Sequence, residues 1–262
     1  MTAPSNVTSI GLPQMKCPNM LAVASGKGGV GKTWFAATLS QAVAQGNRTA
    51  LLFDGDLGLA NVDIQLGLTP AVDLGQVIAG KASLRQARTP TTIKGFDVVA
   101  GRSGSGSLGT LPLNRVTHLL TDLVGLSADY DQIILDIGAG IDRSVRLLAG
   151  YAQTVLVVTT PEPTALTDSY AFIKVMLQQD RSADLRIVVN MAANEREGQQ
   201  TYDKLSKVCE NFLKVKPPLA GIIRRDAKVA DAIRHQEPIF NRHPDCNAAK
   251  DVLALLDRLK KA

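Results

Sequence analysis

A doubly wound α/β fold, with a mostly parallel sheet flanked by helices, is the fold class this sequence predicts. Three observations predict it. Short apolar runs of strand length alternate along the chain with longer segments of helical period, the pattern of repeated βα units. Val, Ile, Leu and Ala rather than rings carry the apolar content, with 45% of residues hydrophobic and 4% aromatic. That bias suits strands buried on both faces. A glycine-rich turn also joins the first strand-like run to the first helical one. A chain of 262 residues suits one large domain.

The elements follow in order. Residues 1–19 are polar and rich in Ser, Thr and Pro, and read as a flexible tail without the basic start and apolar run of a signal peptide. Residues 20–262 read as one domain. Met20–Ser25 is an unbroken apolar strand, and Thr33–Gln45 is a helix closed by Gly46. Arg48–Asp54 is a second strand, Asp73–Ala79 a short helix ending at Gly80, and Phe96–Ala100 a strand. The run Gly101–Gly109, all Gly, Ser, Arg and Leu, reads as a mobile surface loop. Leu113–Leu126 is helical, with apolar side chains at 116, 119, 120 and 123 on one face. Gln132–Asp136 and Thr154–Thr159 are buried strands, and Thr164–Gln179 is a helix. Leu185–Asn190 is a strand, Gln199–Leu213 a helix, and Leu219–Ile223 the last strand. Helices at Ala227–His235 and Ala248–Lys260 finish the pattern.

Composition excludes several classes. Cys17, Cys209 and Cys246 are odd in number and far apart, which argues against a disulfide framework or a zinc site and for a reducing cytoplasm. His118, His235 and His243 are scattered and form no metal-binding pattern. No run approaches the roughly 18 apolar residues of a membrane-spanning helix. Lys and Arg outnumber Asp and Glu by 29 to 24, an excess that fits an anionic ligand, a nucleic acid or a membrane surface and singles out none.

The chemistry concentrates after the first strand. Gly26-Lys27-Gly28-Gly29-Val30-Gly31-Lys32-Thr33 fulfils G-x-x-x-x-G-K-[ST]. Its glycines let backbone N–H groups turn inward around phosphates, and the start of the following helix adds attraction. Lys32 should pair with the β- and γ-phosphates and the Thr33 hydroxyl with Mg2+. Trp34 continues the nucleotide-binding run, with helix packing as its simplest role. Two carboxylate segments support this reading. Leu51-Leu-Phe-Asp54-Gly-Asp56 places acids at the end of the second strand, with Asp54 supporting the magnesium shell or Lys32. Ile133-Ile-Leu-Asp136 is four residues of Walker B pattern, with Asp136 a ligand to Mg2+ through water. Gly138 and Gly140 allow the next loop to approach the γ-phosphate and to move after hydrolysis.

Lys27, a second lysine early in the loop, makes this a deviant Walker A motif, and on it the chain resembles the ParA/MinD group of P-loop ATPases. The resemblance runs from about Met20 to Leu259. It implies ATP and Mg2+ as ligands and an ATP-dependent homodimer in which Lys27 reaches the partner's nucleotide. It implies that Asp56 positions the attacking water and that Asn190, ending its strand, contacts adenine. Gly221-Ile-Ile-Arg224-Arg-Asp226 is similar to a Gly-x-Ile-Pro segment beside adenine, with Arg224 in the proline's place and able to stack on the base. Thr159-Thr-Pro-Glu162-Pro-Thr-Ala-Leu-Thr-Asp168 and Asp56-Leu-Gly-Leu-Ala-Asn-Val-Asp63 are most similar to the flagellar-number regulators FlhG and FleN. That likeness sets Glu162 near the dimer interface, either touching nucleotide across it or favouring a helix start, and makes Asp168 a partner-facing candidate.

Two features depart from that subgroup. Its activating segment with a characteristic Gln is not found in Met1–Asn19. Ala248, Val252, Leu255, Leu256 and Leu259 form a stripe that reads as the last packed helix rather than a membrane anchor, although Arg258, Lys260 and Lys261 keep peripheral contact with the inner membrane face in view.

The resulting expectation is a slow, partner-stimulated, cytoplasmic ATPase switch that binds a protein cargo or regulator, with flagellar number or placement as its field. The alternative is a partition-type ATPase that binds DNA non-specifically through Arg224, Arg225, Lys228 and Arg234. A metabolic enzyme on the same fold is the third class. It would need cysteine ligands after a switch motif or a carboxylate-substrate pocket, and neither is visible.

Overall fold

A computed structural model describes residues 16–56, 61–101 and 113–261. Its strands are β1 (Cys17–Ser25), β2 (Ala50–Gly55), β3 (Arg88–Pro90), β4 (Phe96–Val99), β5 (Gln132–Ala139), β6 (Ala152–Thr159), β7 (Asp184–Ala192) and β8 (Leu219–Arg224). They form one sheet in the order β3-β4-β2-β5-β1-β6-β7-β8. Each pairing is parallel except β3 with β4. The expected doubly wound, mostly parallel fold is therefore the observed one.

The helices are α1 (Lys32–Gln45), α2 (Val62–Leu66), α3 (Leu74–Ile78), α4 (Leu113–Leu126), α5 (Arg143–Tyr151), α6 (Pro163–Gln179), α7 (Glu195–Leu213), α8 (Ala227–Arg234), α9 (Ile239–Arg242) and α10 (Asn247–Lys261). They cover both faces, so strand side chains of either parity are buried. In β1, Met20, Ala22 and Ala24 join the core under α4 to α7, while Leu21 and Val23 join the core under α1 and α10. This is why the strands read as continuous apolar runs rather than alternating ones. α1 is buried along most of its length, as expected of a helix apolar on nearly all sides.

The strand order places the site. β1 lies between β5 and β6, so the connections leaving the ends of β1 and β6 diverge to opposite sides. A crevice opens there at the C-terminal strand ends, the usual ligand position in open parallel sheets.

Several boundaries differ from expectation. β1 begins at Cys17, inside the expected tail. Asn19 anchors this start by donating from Nδ2 to the Ser127 and Tyr130 carbonyls at 2.8 and 2.7 Å. β5 runs past Asp136 to Ala139. α7 starts at Glu195 rather than Gln199, capped by Asn194, whose side chain accepts from the Glu197 N–H. α2, β3, α5 and α9 were not anticipated. The glycine-rich loop, from residue 102 onward, and residues 57–60 of the Asp56–Asp63 segment lie outside the described residues.

Candidate nucleotide site

The phosphate loop spans the gap from Ser25, ending β1, to Lys32, opening α1. Gly29 and Gly31 hold φ of 80° and 85°, a left-handed conformation that glycine adopts without penalty. A side chain at Gly31 would come within 2.5 Å of Asn190 Nδ2. One at Gly26 would collide with the carbonyl of Asp168 in α6. The loop thus fits against α6 and β7 only as bare backbone. Two further bonds fix its base: Ser25 Oγ donates to the Lys27 carbonyl at 2.7 Å, and the Gly140 N–H donates to the Ser25 carbonyl at 2.9 Å. The second links the loop after β5 directly to the phosphate loop.

Behind the loop stand Lys32, Asp54 and Asp136, all buried. Burial pushes the Asp54 carboxyl up to about 8, with the nearby Asp136 charge adding to the rise. Burial also raises Asp136, to about 6, against the pull of Lys32 and the Thr33 hydroxyl. The two acids are buried side by side and Lys32 acts on Asp136, so the pocket has room for further positive charge. Their hydrogen bonding separates their roles. Asp54 accepts from the Asp56 N–H at 3.2 Å and the Val62 N–H at 3.4 Å, so it folds back the segment after β2. Both carboxylate oxygens of Asp136 are buried without a well-formed hydrogen bond. Such orphaned oxygens beside a threonine hydroxyl suit a hard divalent cation. Among the described residues no three His, Cys, Asp or Glu side chains cluster to cage a metal. A cation here would complete its shell with phosphate oxygens and water, as Mg2+ commonly does. Thr33 and Asp136 are the residues placed to hold it, with Asp54 behind them.

Asp56 lies beside the end of β5: a side chain at Gly138 would sit 3.6 Å from its Oδ1. The structure therefore gathers Lys32, Asp54, Asp56, Asp136 and Gly138 around one point. Gly140 has φ of 100°.

The remaining expected residues behave differently. Asn190 is buried and clamps the phosphate loop, donating from Nδ2 to the Val30 carbonyl at 2.8 Å and accepting on Oδ1 from the Met191 N–H at 2.9 Å. Arg224 was expected to lie on the base. Its guanidinium instead grips Asp251 of α10, at 2.9 Å from Nε and 2.7 Å from Nη2. The same pairing removes Arg224 from the basic patch drawn with Arg225, Lys228 and Arg234. It is the next residue, Arg225, that reaches the cleft, with an exposed side chain. Trp34 is buried in α1 as packing.

Lys27 is half-exposed and held within its own chain, by Glu162 at 2.7 Å and by the Thr164 hydroxyl at 2.8 Å. The hydrogen bond and charge of Lys27 hold the Glu162 carboxyl below its ordinary value. Lys27, Glu162 and Arg225 border an open cavity of about 450 Å3 at the outer side of the phosphate loop. Neither Thr164 nor Arg225 was singled out for the site from the sequence. The signal for both was adjacency, to Glu162 and to Arg224.

Comparison with known proteins identifies the family and the fold. Residues 21–239 match the family model described as the CobQ/CobB/MinD/ParA nucleotide binding domain. The chain is 37% identical over 230 residues to the antiactivator FleN of Pseudomonas aeruginosa, covering 88% of this chain and 82% of FleN. It is 32% identical to the flagellum site-determining protein YlxH of Helicobacter pylori, over 73% of this chain and 64% of that one. Among solved structures, the septum site-determining protein MinD of Pyrococcus horikoshii, complexed with Mg-ADP, superposes with a TM-score of 0.76 at 22% identity, over 93% of this chain and 96% of that one.

Proposed function

The chain belongs to the CobQ/CobB/MinD/ParA family of nucleotide-binding proteins, and from that membership we propose that it is an ATP-gated dimer switch. Lys32 and the backbone of Gly28–Thr33 would hold the β- and γ-phosphates. Mg2+, held by Thr33 and Asp136, would neutralise phosphate charge. Asp56, at the mouth beside Gly138, is placed to orient the attacking water. Catalysis of this kind works by positioning and charge stabilisation, without a covalent intermediate.

Dimerisation completes the site. Lys27 would leave Glu162 and Thr164 and reach the partner's nucleotide, as an arginine finger does. The Gly140 bond to Ser25 gives the loop after β5 a direct means of sensing the phosphate loop. The nucleotide state would thereby be passed to a protein-binding surface. The name of the flagellum site-determining protein YlxH, together with the FlhG- and FleN-like segments of the sequence, points to flagellar number or placement as the field of action. The proposed location is the cytoplasm, with at most peripheral contact at the inner membrane face. No described helix is long and apolar enough to cross a membrane. Non-specific DNA binding is disfavoured by the pairing of Arg224 with Asp251.

The observation that carries this reading is the pair of orphaned Asp136 oxygens beside Lys32 and Thr33. The test is the mass in solution with ADP and with ATP, for the wild type and Asp56→Ala. The expected result is a dimer with ATP alone, trapped by Asp56→Ala. Equal masses in both nucleotides would sink the switch reading and favour a metabolic enzyme.

A further inference from the structure

Among the described residues, Phe212 near the end of α7 is the most exposed large hydrophobic side chain, at 73%. Val208, one turn earlier on the same flank, is 38% exposed. The opposite requirement of the helix is already met: Thr201, Leu205 and Cys209 are buried on its sheet-facing side. Val208 and Phe212 therefore form a narrow apolar ledge left over after α7 has docked.

Cations accompany the ledge. Lys204, Lys207, Lys214 and Lys216 are all exposed, and none is in an ion pair among the described residues. Lys214 Nζ donates only to the Asn211 carbonyl, at 2.9 Å. Arg181, exposed after α6, adds its charge at the ledge's end, where Nη2 donates to the Leu213 carbonyl at 2.6 Å. The one acid between Lys204 and Lys216 is Glu210. At about 100° per residue it stands roughly 160° round the helix from Phe212.

Charge complementarity calls for an anionic occupant, and the ledge calls for an apolar anchor. A second copy brings the same lysines, so a two-fold pairing of this face sets like charges together. A lipid surface needs a wide apolar helix face, and the wide face of α7 lies on the sheet. Apolar side chains at i and i+4 are instead the spacing against which an amphipathic helix packs. We propose that the outer flank of α7 docks an acidic amphipathic segment of another protein. Its apolar residues rest on Val208 and Phe212, and its carboxylates lie over Lys204, Lys207, Lys214 and Lys216. Glu197, near the start of the same helix, borders the cavity at the phosphate loop. Phe212 is 15 residues further on, about 22 Å along the axis. The docking surface is thus separate from the nucleotide cleft, and the proposal goes beyond the dimer-switch reading and needs neither nucleotide nor dimer.

The test is fluorescence anisotropy of a labelled peptide of roughly five helical turns, with Leu at i, i+4, i+7 and i+11 and Glu and Ala elsewhere, titrated with the full chain. The expected result is saturable binding of one peptide per chain, unchanged within threefold by saturating ADP. Affinity should fall at least tenfold in Phe212→Ser and in Lys204→Glu/Lys207→Glu, exposed positions whose replacement leaves thermal stability and ADP affinity as in the wild type. The charge-reversed variant should gain affinity for the same peptide carrying Lys in place of Glu. Absence of saturable binding overturns the proposal, and so does equal binding of a peptide with the same residues in scrambled order. Undiminished binding by Phe212→Ser overturns it as well. Sedimentation of the wild type with anionic vesicles, lost in Phe212→Ser, would assign the face to lipid instead. A nucleotide-independent dimer lost in that variant would assign it to a second copy.

Discussion

Lys27 and Lys32 stand in the same loop and meet opposite environments. Lys32 is 8% exposed and faces Asp136, whereas the Lys27 side chain is 36% exposed and tied to Glu162. Burial beside Asp136 suits Lys32 to the proposed role of holding phosphate. Exposure at the cleft rim leaves Lys27 free to exchange partners. Lys32→Ala is therefore expected to abolish nucleotide binding. Lys27→Ala should leave nucleotide affinity within a few-fold of the wild type yet lose the ATP-dependent dimer. Calorimetry with ADP and mass in ATP separate the two outcomes. The adjacent arginines divide in a similar way. Arg225→Ala should weaken nucleotide binding by roughly tenfold, the order expected for one charged hydrogen bond, because its side chain borders the cleft. Arg224→Ala should leave nucleotide affinity unchanged and lower stability by about 1 kcal/mol after allowance for solvent screening, because its partner is Asp251. Equal losses of affinity in the two variants would show that Arg224 also reaches the nucleotide.

At the scale of elements, the edge strands are joined to the sheet centre by polar contacts rather than by length. Tyr130, just before β5, donates its hydroxyl to Asp97 of β4 at 2.6 Å and accepts from Arg88 of β3 at 3.3 Å. Burial first, and the bond to Asp97 next, push the Tyr130 hydroxyl up to about 12. A folded value above the unfolded value of about 10 means that the unfolded chain loses the proton first as pH rises. Its contribution is complete below pH 10 and disappears as pH climbs toward 12. Tyr130→Phe should cost roughly 1–2 kcal/mol at pH 7, and the difference from wild type should shrink over that alkaline window in denaturant titrations. A constant difference across the window would rule out the coupling. The same elements show what could be read in advance. The long parallel strands were legible because both faces are buried and their sequences are apolar throughout. β3, with three residues, offers no period to detect. α7 was read four residues short because Gly198, packed against Ile222, interrupts its first turns. The phosphate loop was visible because its chemistry is local to eight residues. The clamp by Asn190, the Arg224–Asp251 pair and the Lys27–Glu162 contact join residues 160, 27 and 135 positions apart. No local pattern encodes such pairings.

At the scale of the whole molecule, α10 decides between a packed domain and a membrane anchor. Its stripe of Ala248, Val252, Leu255 and Leu256 is buried in the core it shares with α1. A side chain added at Gly221 of β8 would lie 2.8 Å from Leu255 Cδ1, so helix and strand meet at backbone distance. The Arg224–Asp251 pair ties the same two elements further along. Releasing α10 to a bilayer would uncover this stripe on the sheet as well as on the helix. Burying a leucine contributes about 1.5–3 kcal/mol, so undocking several such side chains costs more than one helix face recovers from lipid. The net charge of +5 gives weak attraction to anionic lipid, screened within about 8 Å at physiological salt. The purified chain in ATP is therefore expected to remain in the supernatant when centrifuged with anionic liposomes at physiological salt. Leu255→Ala should lower stability by about 2–5 kcal/mol, the usual cost of a cavity in a packed core, without changing that distribution. Sedimentation of the wild type with vesicles, abolished by Leu255→Ala while thermal stability is unchanged, would mean that α10 leaves the sheet and that its stripe serves lipid rather than the core.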